Sequence, residues 1–452
     1  MQLIWFLLLR SSYNYHLQKM QTFIKLKQHY WFKELTDKGC FVVKKNSIDL
    51  VDGNIFEYRV VEGEYRMQYR KFGKLDWQAS ALGFGCMRFP TIDGKAANID
   101  QEKVDQMIHT AIDAGINYFD TAYVYHDQMS ENALGKALQG GYREKVKVAT
   151  KSAIWLLHKS DDFDRMLDEQ LERLQTGTID FYLLHALDRK AWEKIQNLEL
   201  IDKAEKALAD GRIQNLGFSF HDSLDVFKTI VDGYDAWTFC QIQYNFMDVD
   251  FQAGTAGLKY AADKGLAVVI MESLRGGKLA LDLPSTRPIW ESAEKKRKPA
   301  DWALQWLWNQ PEVSVALSGM STIEQVEENI ASAAASGIGT LRHDELVLFD
   351  AAREAIKSRS PISCTRCEYC LPCPNGVNIP LNFETYNQAA MFEDVEQSRF
   401  AYKNWVPEDE QASYCIQCDE CLSKCPQHIP ISSWMPVVED VLGLGRPYVN
   451  SI

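Results

Sequence analysis

Apolar positions change rhythm along this chain, and the change divides it. Between Ala81 and Gly319, short runs rich in β-branched and aromatic residues alternate with longer stretches whose apolar positions recur every three to four residues. The runs are Ala81–Met87, Tyr118–Ala122, Lys145–Ser152, Ile179–Leu187, Ile213–Phe220, Phe239–Asn245, Ala267–Ser273 and Val313–Gly319. The amphipathic stretches are Ile99–Ala114, Asp164–Leu174, Ala191–Ala209, Leu224–Val231, Ala256–Lys264, Pro299–Asn309 and Thr322–Ala335. Strands that alternate with helices predict parallel βα units, because parallel neighbours need a crossover connection. Eight such units in about 250 residues predict an α/β fold, a (β/α)8 TIM barrel. A doubly wound sheet of eight strands is the competing arrangement, but no Gly-x-Gly-x-x-Gly follows the first strand. Arg70 to Ala79 predicts a hairpin closing the barrel floor.

Beyond Ala355 the pattern changes. Ser358-Arg359-Ser360-Pro361 reads as a linker. Two cysteine groups follow, with a helical segment, Leu381 to Asn404, between them. Trp434 to Ile452 predicts a helix and a tail packed back on the barrel. The first 45 residues carry eight Lys/Arg against two acids, net +6, and hold no sustained period. Their apolar run Leu3–Leu9 is too short to span a membrane, and it lacks the charged start and cleavage site of a secretory signal. A transit peptide or membrane-surface anchor competes with the simpler expectation that the functional protein starts near Met67. The expected division is an N-terminal extension (1–66), a barrel (67–355), and a small, mainly α-helical two-cluster domain with its tail (356–452).

Composition narrows the chemistry. The 452 residues are 46% hydrophobic and 25% charged, as expected of a soluble globular chain. Net charge is 49 − 62 = −13, so removing the +6 leader leaves −19 on the body. An acidic chain without a basic patch makes nucleic acid an unsuitable partner. No stretch reaches the length of a membrane span. Of 11 cysteines, eight fall between Cys364 and Cys425. Such crowding does not suit a secreted disulfide scaffold; it points to a metal site in a reducing, cytoplasmic compartment.

Cys415-x2-Cys418-x2-Cys421-x3-Cys425-Pro426 has the spacing of the bacterial ferredoxin run for a [4Fe–4S] cluster. Cys364-x2-Cys367-x2-Cys370-x2-Cys373-Pro374 is the same run, one residue shorter before its last cysteine. Two [4Fe–4S] clusters are expected, with four-thiolate zinc as the alternative. In two-cluster ferredoxins the fourth cysteine ligates the other cluster. By that analogy Cys364, Cys367, Cys370 and Cys425 hold one cluster, while Cys415, Cys418, Cys421 and Cys373 hold the other. Cys40, Cys86 and Cys240 are expected to pack as small hydrophobes.

Catalytic groups of a barrel gather at the C-terminal ends of its strands. Those ends carry Asp120 with Tyr125 five residues on, then Lys151, then His185. Any one of these has a structural explanation; four at adjacent strand ends form a set. A tyrosine with an ordinary pKa near ~10 needs a nearby cation to become a useful acid. Lys151 would supply that charge, Asp120 would hold the lysine protonated, and His185 would orient a carbonyl oxygen.

These residues resemble the aldo/keto reductase family. Phe119-Asp120-Thr121-Ala122-Tyr123-Val124-Tyr125 is similar to its Asp–Tyr signature, and Lys151 and His185 stand at suitable spacings for its other two catalytic residues. The resemblance covers about Met67 to Ser336, and the cysteine-rich tail resembles a subgroup with a C-terminal ferredoxin-type domain. It implies a nicotinamide cofactor, NAD(P)H, at the strand ends, with hydride passing to an aldehyde or ketone carbon while Tyr125 protonates the oxygen, or the reverse. By the same resemblance Ser219 and Gln241 match the carboxamide partners, and Glu328 and Asn329 the adenine-contacting pair.

Departures accompany the match. Phe220 stands where the second carboxamide-binding asparagine is usual, and Met271-Glu272 replaces a Tyr-Ser pair. The usual Lys-Ser is absent near Ser318-Gly319-Met320-Ser321, and Gln325 replaces a phosphate-gripping arginine. Losing both cations weakens a 2′-phosphate clamp, so the choice between NAD and NADP stays open. The paired clusters imply exchange of single electrons, with an external electron-transfer protein as a partner. The competing reading is a nucleotide-binding regulatory or electron-transfer module with an idle barrel. The charge run Glu294–Lys298 is expected to be a solvated face.

Overall fold

The computed structural model describes residues 66–452. Ahead of them it gives only the backbone of two short antiparallel ribbons, Lys33–Leu35 with Phe41–Val43 and Leu50–Val51 with Asn54–Ile55. The rest of the expected N-terminal extension, Cys40 included, lies outside the described residues.

Eight parallel strands close into a barrel. They are β1 Leu82–Gly85, β2 Tyr118–Asp120, β3 Lys147–Ser152, β4 Phe181–Leu187, β5 Leu216–Phe220, β6 Phe239–Gln243, β7 Ala267–Met271 and β8 Val313–Ser318. β8 returns to β1 through Ala316 beside Leu82, which closes the ring. The expected floor hairpin is present, Tyr69–Lys71 paired with Gln78–Ser80. Phe72 in its turn enters the lumen, with its ring centre 4.7 Å from Phe181 and 5.8 Å from Phe239. The lower barrel is therefore a packed core rather than a pore.

Side chains alternate across each strand, and this alternation sorts apolar from chemical positions. Phe181, Leu183, Phe239, Val269 and Val315 line the lumen with Phe72. Phe84, Phe119, Phe218 and Phe220 face the helical ring and belong to the outer core. The departure at Phe220 has a structural meaning here. Its ring lies edge-on 5.0 Å from Phe227, buried away from the barrel mouth.

Helices cover the strands much as the periodicity predicts, with instructive exceptions. The short helix Ser130–Ala137 was not expected; beside apolar Ala133, Leu134 and Ala137 it buries polar Ser130 and Glu131 and contains Gly135. A Cβ at Gly135 would stand 2.5 Å from the Arg173 carbonyl oxygen, so only glycine permits this approach. The single helix expected over Ala191–Ala209 is two, Arg189–Asn197 and Leu200–Ala209, broken where Glu199 takes φ 52°. The segment between the cysteine groups likewise splits into Ile379–Met391 and Val395–Trp405 around Glu393, φ 55°.

One further expectation is corrected, and a second at a single residue. The C-terminal segment does not pack back on the barrel. Trp434, Met435, Val438, Val441 and Leu442 share a separate core with Ile362, Phe383 and Tyr386, and Tyr448 stacks on Tyr386 with ring centres 4.7 Å apart. The tail seals the cysteine-bearing domain because its apolar face matches that domain's helices. Along Glu294–Lys298 four residues are exposed, as expected of a solvated face, and Arg297 alone turns inward. Arg297 is buried over Trp302, 4.4 Å from its ring centre, and pairs with Glu345 at 2.5 Å. Among the described residues no helix is long and apolar enough to cross a membrane.

Candidate functional site

Alternation on three neighbouring strands, with the loop after β2 that carries Tyr125, brings the expected residues to one end of the lumen. Asp120 ends β2, Lys151 lies one residue from the end of β3, and His185 stands near the end of β4. Asp120 and Lys151 are 2% and 1% exposed, which makes their pairing obligatory. Lys151 Nζ donates to Asp120 Oδ1 at 2.5 Å and to the Thr121 carbonyl oxygen at 2.8 Å. It also reaches Tyr125 Oη at 3.4 Å and lies 5.0 Å from the centre of that ring. Tyr125 meets His185 edge to face, ring centres 6.1 Å apart. All four residues converge.

The geometry at His185 has a backbone cause. Register between β4 and β5 shifts between Leu184 and Leu187, a bulge, and Ala186 adopts φ 57° within it. A left-handed alanine is strained, and bulges re-aim side chains next to functional sites. The Ala186 N–H donates to Ser219 Oγ at 2.7 Å, which holds the bulge. His185 Nδ1 is buried without a partner, and Trp155 lies 5.0 Å from the ring.

Electrostatics assign a charge state to each group. Burial pushes the Asp120 carboxyl upward, while Lys151 pulls it back. Burial alone would lower Lys151, but Asp120 and Tyr125 overcome it and hold the ammonium above its ordinary value. Tyr125 corrects the expectation that Lys151 brings its phenol toward neutrality. Burial raises Tyr125 by more than Lys151 lowers it, so the phenol keeps its proton. His185 is pushed well below its ordinary value by burial, then by Lys151 and His221, and is a neutral imidazole.

The other expected residues divide. Gln241 is buried with its amide facing Asp120, and its Oε1 has no partner. Ser219 is buried and already engaged with Ala186. Asn329 donates to Ser318 Oγ at 3.0 Å at the end of β8, and Glu328 accepts from Lys298 at 2.5 Å. Gln325 accepts the Ser321 N–H at 2.8 Å, a helix-capping arrangement rather than a free grip. Sequence reasoning overlooked Trp155. Its signal was an aromatic residue four positions beyond Lys151, in the loop at the mouth. Cys86 and Cys240 are buried, as expected of packing residues.

The eight tail cysteines ring two concavities. One is lined by Cys364, Cys367, Cys370 and Cys425. The other is lined by Cys373, Cys415, Cys418 and Cys421, with Cys370 on the wall between them. Among the described residues no three His, Cys, Asp or Glu side chains converge tightly enough for a single metal ion. Four thiols spread around a cavity suit a polynuclear cluster better than tetrahedral zinc, whose sulfur ligands stand ~2.3 Å from one point. The fit is to iron–sulfur.

Comparison with known proteins agrees with this geometry. Residues 81–337 match the model of the aldo/keto reductase family, and residues 363–429 match that of a 4Fe-4S dicluster domain. The chain is 28% identical over 291 residues to L-galactose dehydrogenase of Arabidopsis thaliana, covering 59% of this chain and 88% of that protein. It is 28% identical over 306 residues to a probable aldo-keto reductase of Glycine max, covering 60% and 85%. Among solved structures, an aldo-keto reductase of Bacillus halodurans in its holo form superposes with a TM-score of 0.53 at 24% identity, covering 63% and 96%. One from Klebsiella pneumoniae, in complex with NADPH, gives 0.50 at 23%, covering 63% and 94%. With its eight-stranded barrel and the 257 residues from 81 to 337 matched, this chain belongs to the aldo/keto reductase family of oxidoreductases and carries a 4Fe-4S domain behind the barrel.

Proposed function

We propose that this protein is an NAD(P)-dependent reductase of an aldehyde or ketone, or the corresponding alcohol dehydrogenase, with two [4Fe–4S] clusters in residues 356–452. One observation carries the reading: Lys151 Nζ lies within 2.5 Å of Asp120 and 3.4 Å of Tyr125 Oη, with His185 beside the tyrosine. Tyr125 holds the proton that a developing alkoxide needs. Lys151 stabilises the phenolate left behind, Asp120 keeps Lys151 charged, and neutral His185 orients the carbonyl oxygen. The nicotinamide, when bound, supplies or accepts the hydride. The Klebsiella relative in complex with NADPH supports such a cofactor. Gln241, with an unpartnered amide oxygen at the mouth, is the best-placed carboxamide partner, and Ser219, Asn329 and Glu328 stand at the neighbouring strand and helix positions.

Crossed ligation is supported by the two four-cysteine concavities, each completed by the last cysteine of the other run. The clusters serve one-electron exchange with an external carrier. A barrel of residues 67–355 performs the carbonyl chemistry. An idle, nucleotide-binding barrel does not need a buried charged pair beneath a tyrosine. Anaerobic purification with iron and sulfide analysis, followed by carbonyl reduction with NADH and NADPH, tests both halves. A Tyr125→Phe enzyme that keeps full carbonyl reduction would refute the barrel assignment.

A further inference from the structure

We propose that the cysteine-bearing domain is keyed into the dinucleotide side of the barrel mouth through Glu384, so that the first cluster and the loop after β7 are coupled. This rests on the cofactor and cluster reading above. Glu384, on the helix Ile379–Met391, meets two arginines from different parts of the molecule. Its Oε2 accepts from Arg366 at 2.8 Å and its Oε1 lies 3.8 Å from Arg275.

Each arginine continues the connection. Arg366 sits between Cys364 and Cys367, and its backbone N–H faces the Cys364 sulfur. Its guanidinium covers Phe251 of the barrel at 4.4 Å. Such N–H···S contacts and nearby charges are what tune an iron–sulfur cluster. Arg275 belongs to the loop after β7, three residues beyond Glu272, and takes φ 49°. It donates to Asp248 Oδ2 at 3.0 Å. That oxygen also accepts from Gln243 at 3.3 Å, at the end of β6 two residues beyond Gln241, and from Asn245 at 3.1 Å. The same loop is fastened again where Lys278 donates to Gln388, and its Gly276 lies between Arg88 and Gln397.

The path from a cluster ligand to the mouth is continuous: Cys364, Arg366, Glu384, Arg275, Asp248, Gln243. Because Glu384 is shared between the two arginines, a change in charge at the first cluster alters how firmly the loop is held. By linkage, a ligand that orders the loop must alter the cluster in return. Glu384 is a positioning residue in this scheme. It touches neither substrate nor iron.

The test uses anaerobic holoprotein and ADP-ribose, which carries the dinucleotide pyrophosphate but cannot take a hydride. Calorimetry on protein with full iron and sulfide is expected to show Glu384→Gln binding ADP-ribose about fivefold more weakly than wild type, the lower end of ordinary coupling energies. Chelator-stripped wild type should be weakened to the same degree. Glu393→Gln, which breaks only the outlying pair with Arg359, should stay within about twofold. Equal affinity in wild type, Glu384→Gln and stripped protein overturns the proposal. Arg366→Gln interrupts the same path from the other side and serves if Glu384→Gln does not fold. Independently, ADP-ribose should shift the EPR spectrum of dithionite-reduced wild type, and an unmoved spectrum also overturns it. If wild-type holoprotein binds no ADP-ribose, the dinucleotide reading itself fails, and this proposal with it.

Discussion

The ammonium of Lys151 stands 2.5 Å from the carboxylate of Asp120, with both side chains almost wholly removed from water. Such a pair is held together by the cost of separating it. Removing one partner strands a buried charge, whereas removing both leaves an apolar floor.

Asp120→Asn is accordingly expected to destabilise the barrel by about 3 kcal/mol or more, and to lower carbonyl reduction at least ~100-fold. The double variant Asp120→Leu with Lys151→Met should regain much of the stability while staying inactive. Denaturant melts alongside steady-state rates check this. A double variant as unstable as Asp120→Asn would show that packing, not charge, dominates at this site.

The pH profile follows from Tyr125 and His185. Burial holds Tyr125 above its ordinary value and His185 far below its own. Carbonyl reduction, followed as kcat/KM, should therefore be level from about pH 6.5 to 9 and fall only in alkali as Tyr125 loses its proton. A limb centred near 6.5 would mean that His185 titrates normally.

The same histidine sets a stability limit in acid. The folded state binds its proton less readily than the unfolded chain, so its contribution is complete above about 6.5. It is lost as pH falls below that value. Thermal melts of wild type and His185→Gln should converge on acidification.

Lys278 behaves in the opposite range. Burial first, then Arg275, pushes it down to about 8. Between there and its unfolded value near ~10.4 the unfolded chain binds the proton that the folded chain lacks, so stability should rise with pH across that window. Lys278→Met should flatten the rise. A wild-type curve without it would mean that Gln388 keeps the lysine charged.

Crossed ligation predicts which cysteines act together. Cys364→Ser and Cys425→Ser should abolish the same EPR signal although 61 residues separate them. Cys373→Ser should group instead with Cys415→Ser. Pairing of Cys425 with Cys415 would refute the crossed arrangement.

Much of this molecule could be read from local pattern. Period-two and period-3.6 runs specify strands and helices directly, which is why the eight strands and the floor hairpin were legible. Cysteine spacing announced the iron–sulfur domain, because a loop that wraps a cluster leaves its ligands at fixed short intervals. Asp120, Tyr125, Lys151 and His185 were visible as polar residues ending apolar runs. The helix Ser130–Ala137 was not, since it is short and interrupts its apolar positions with Glu131, hidden in hydrogen bonds from Thr150 and Gln170.

Sequence alone pointed to the order of strands, the iron–sulfur domain and the polar residues that end the strands, since each depends on neighbours within a few residues. Tertiary structure decided what depends on distant ones. Burial made Tyr125 a weaker acid than its lysine neighbour implied, and alternation turned Phe220 away from the mouth. The C-terminal segment found its apolar partner on the cysteine-bearing domain, and Arg297 its carboxylate 48 residues away at Glu345. Charge and desolvation act through space, so no spacing along the chain records them.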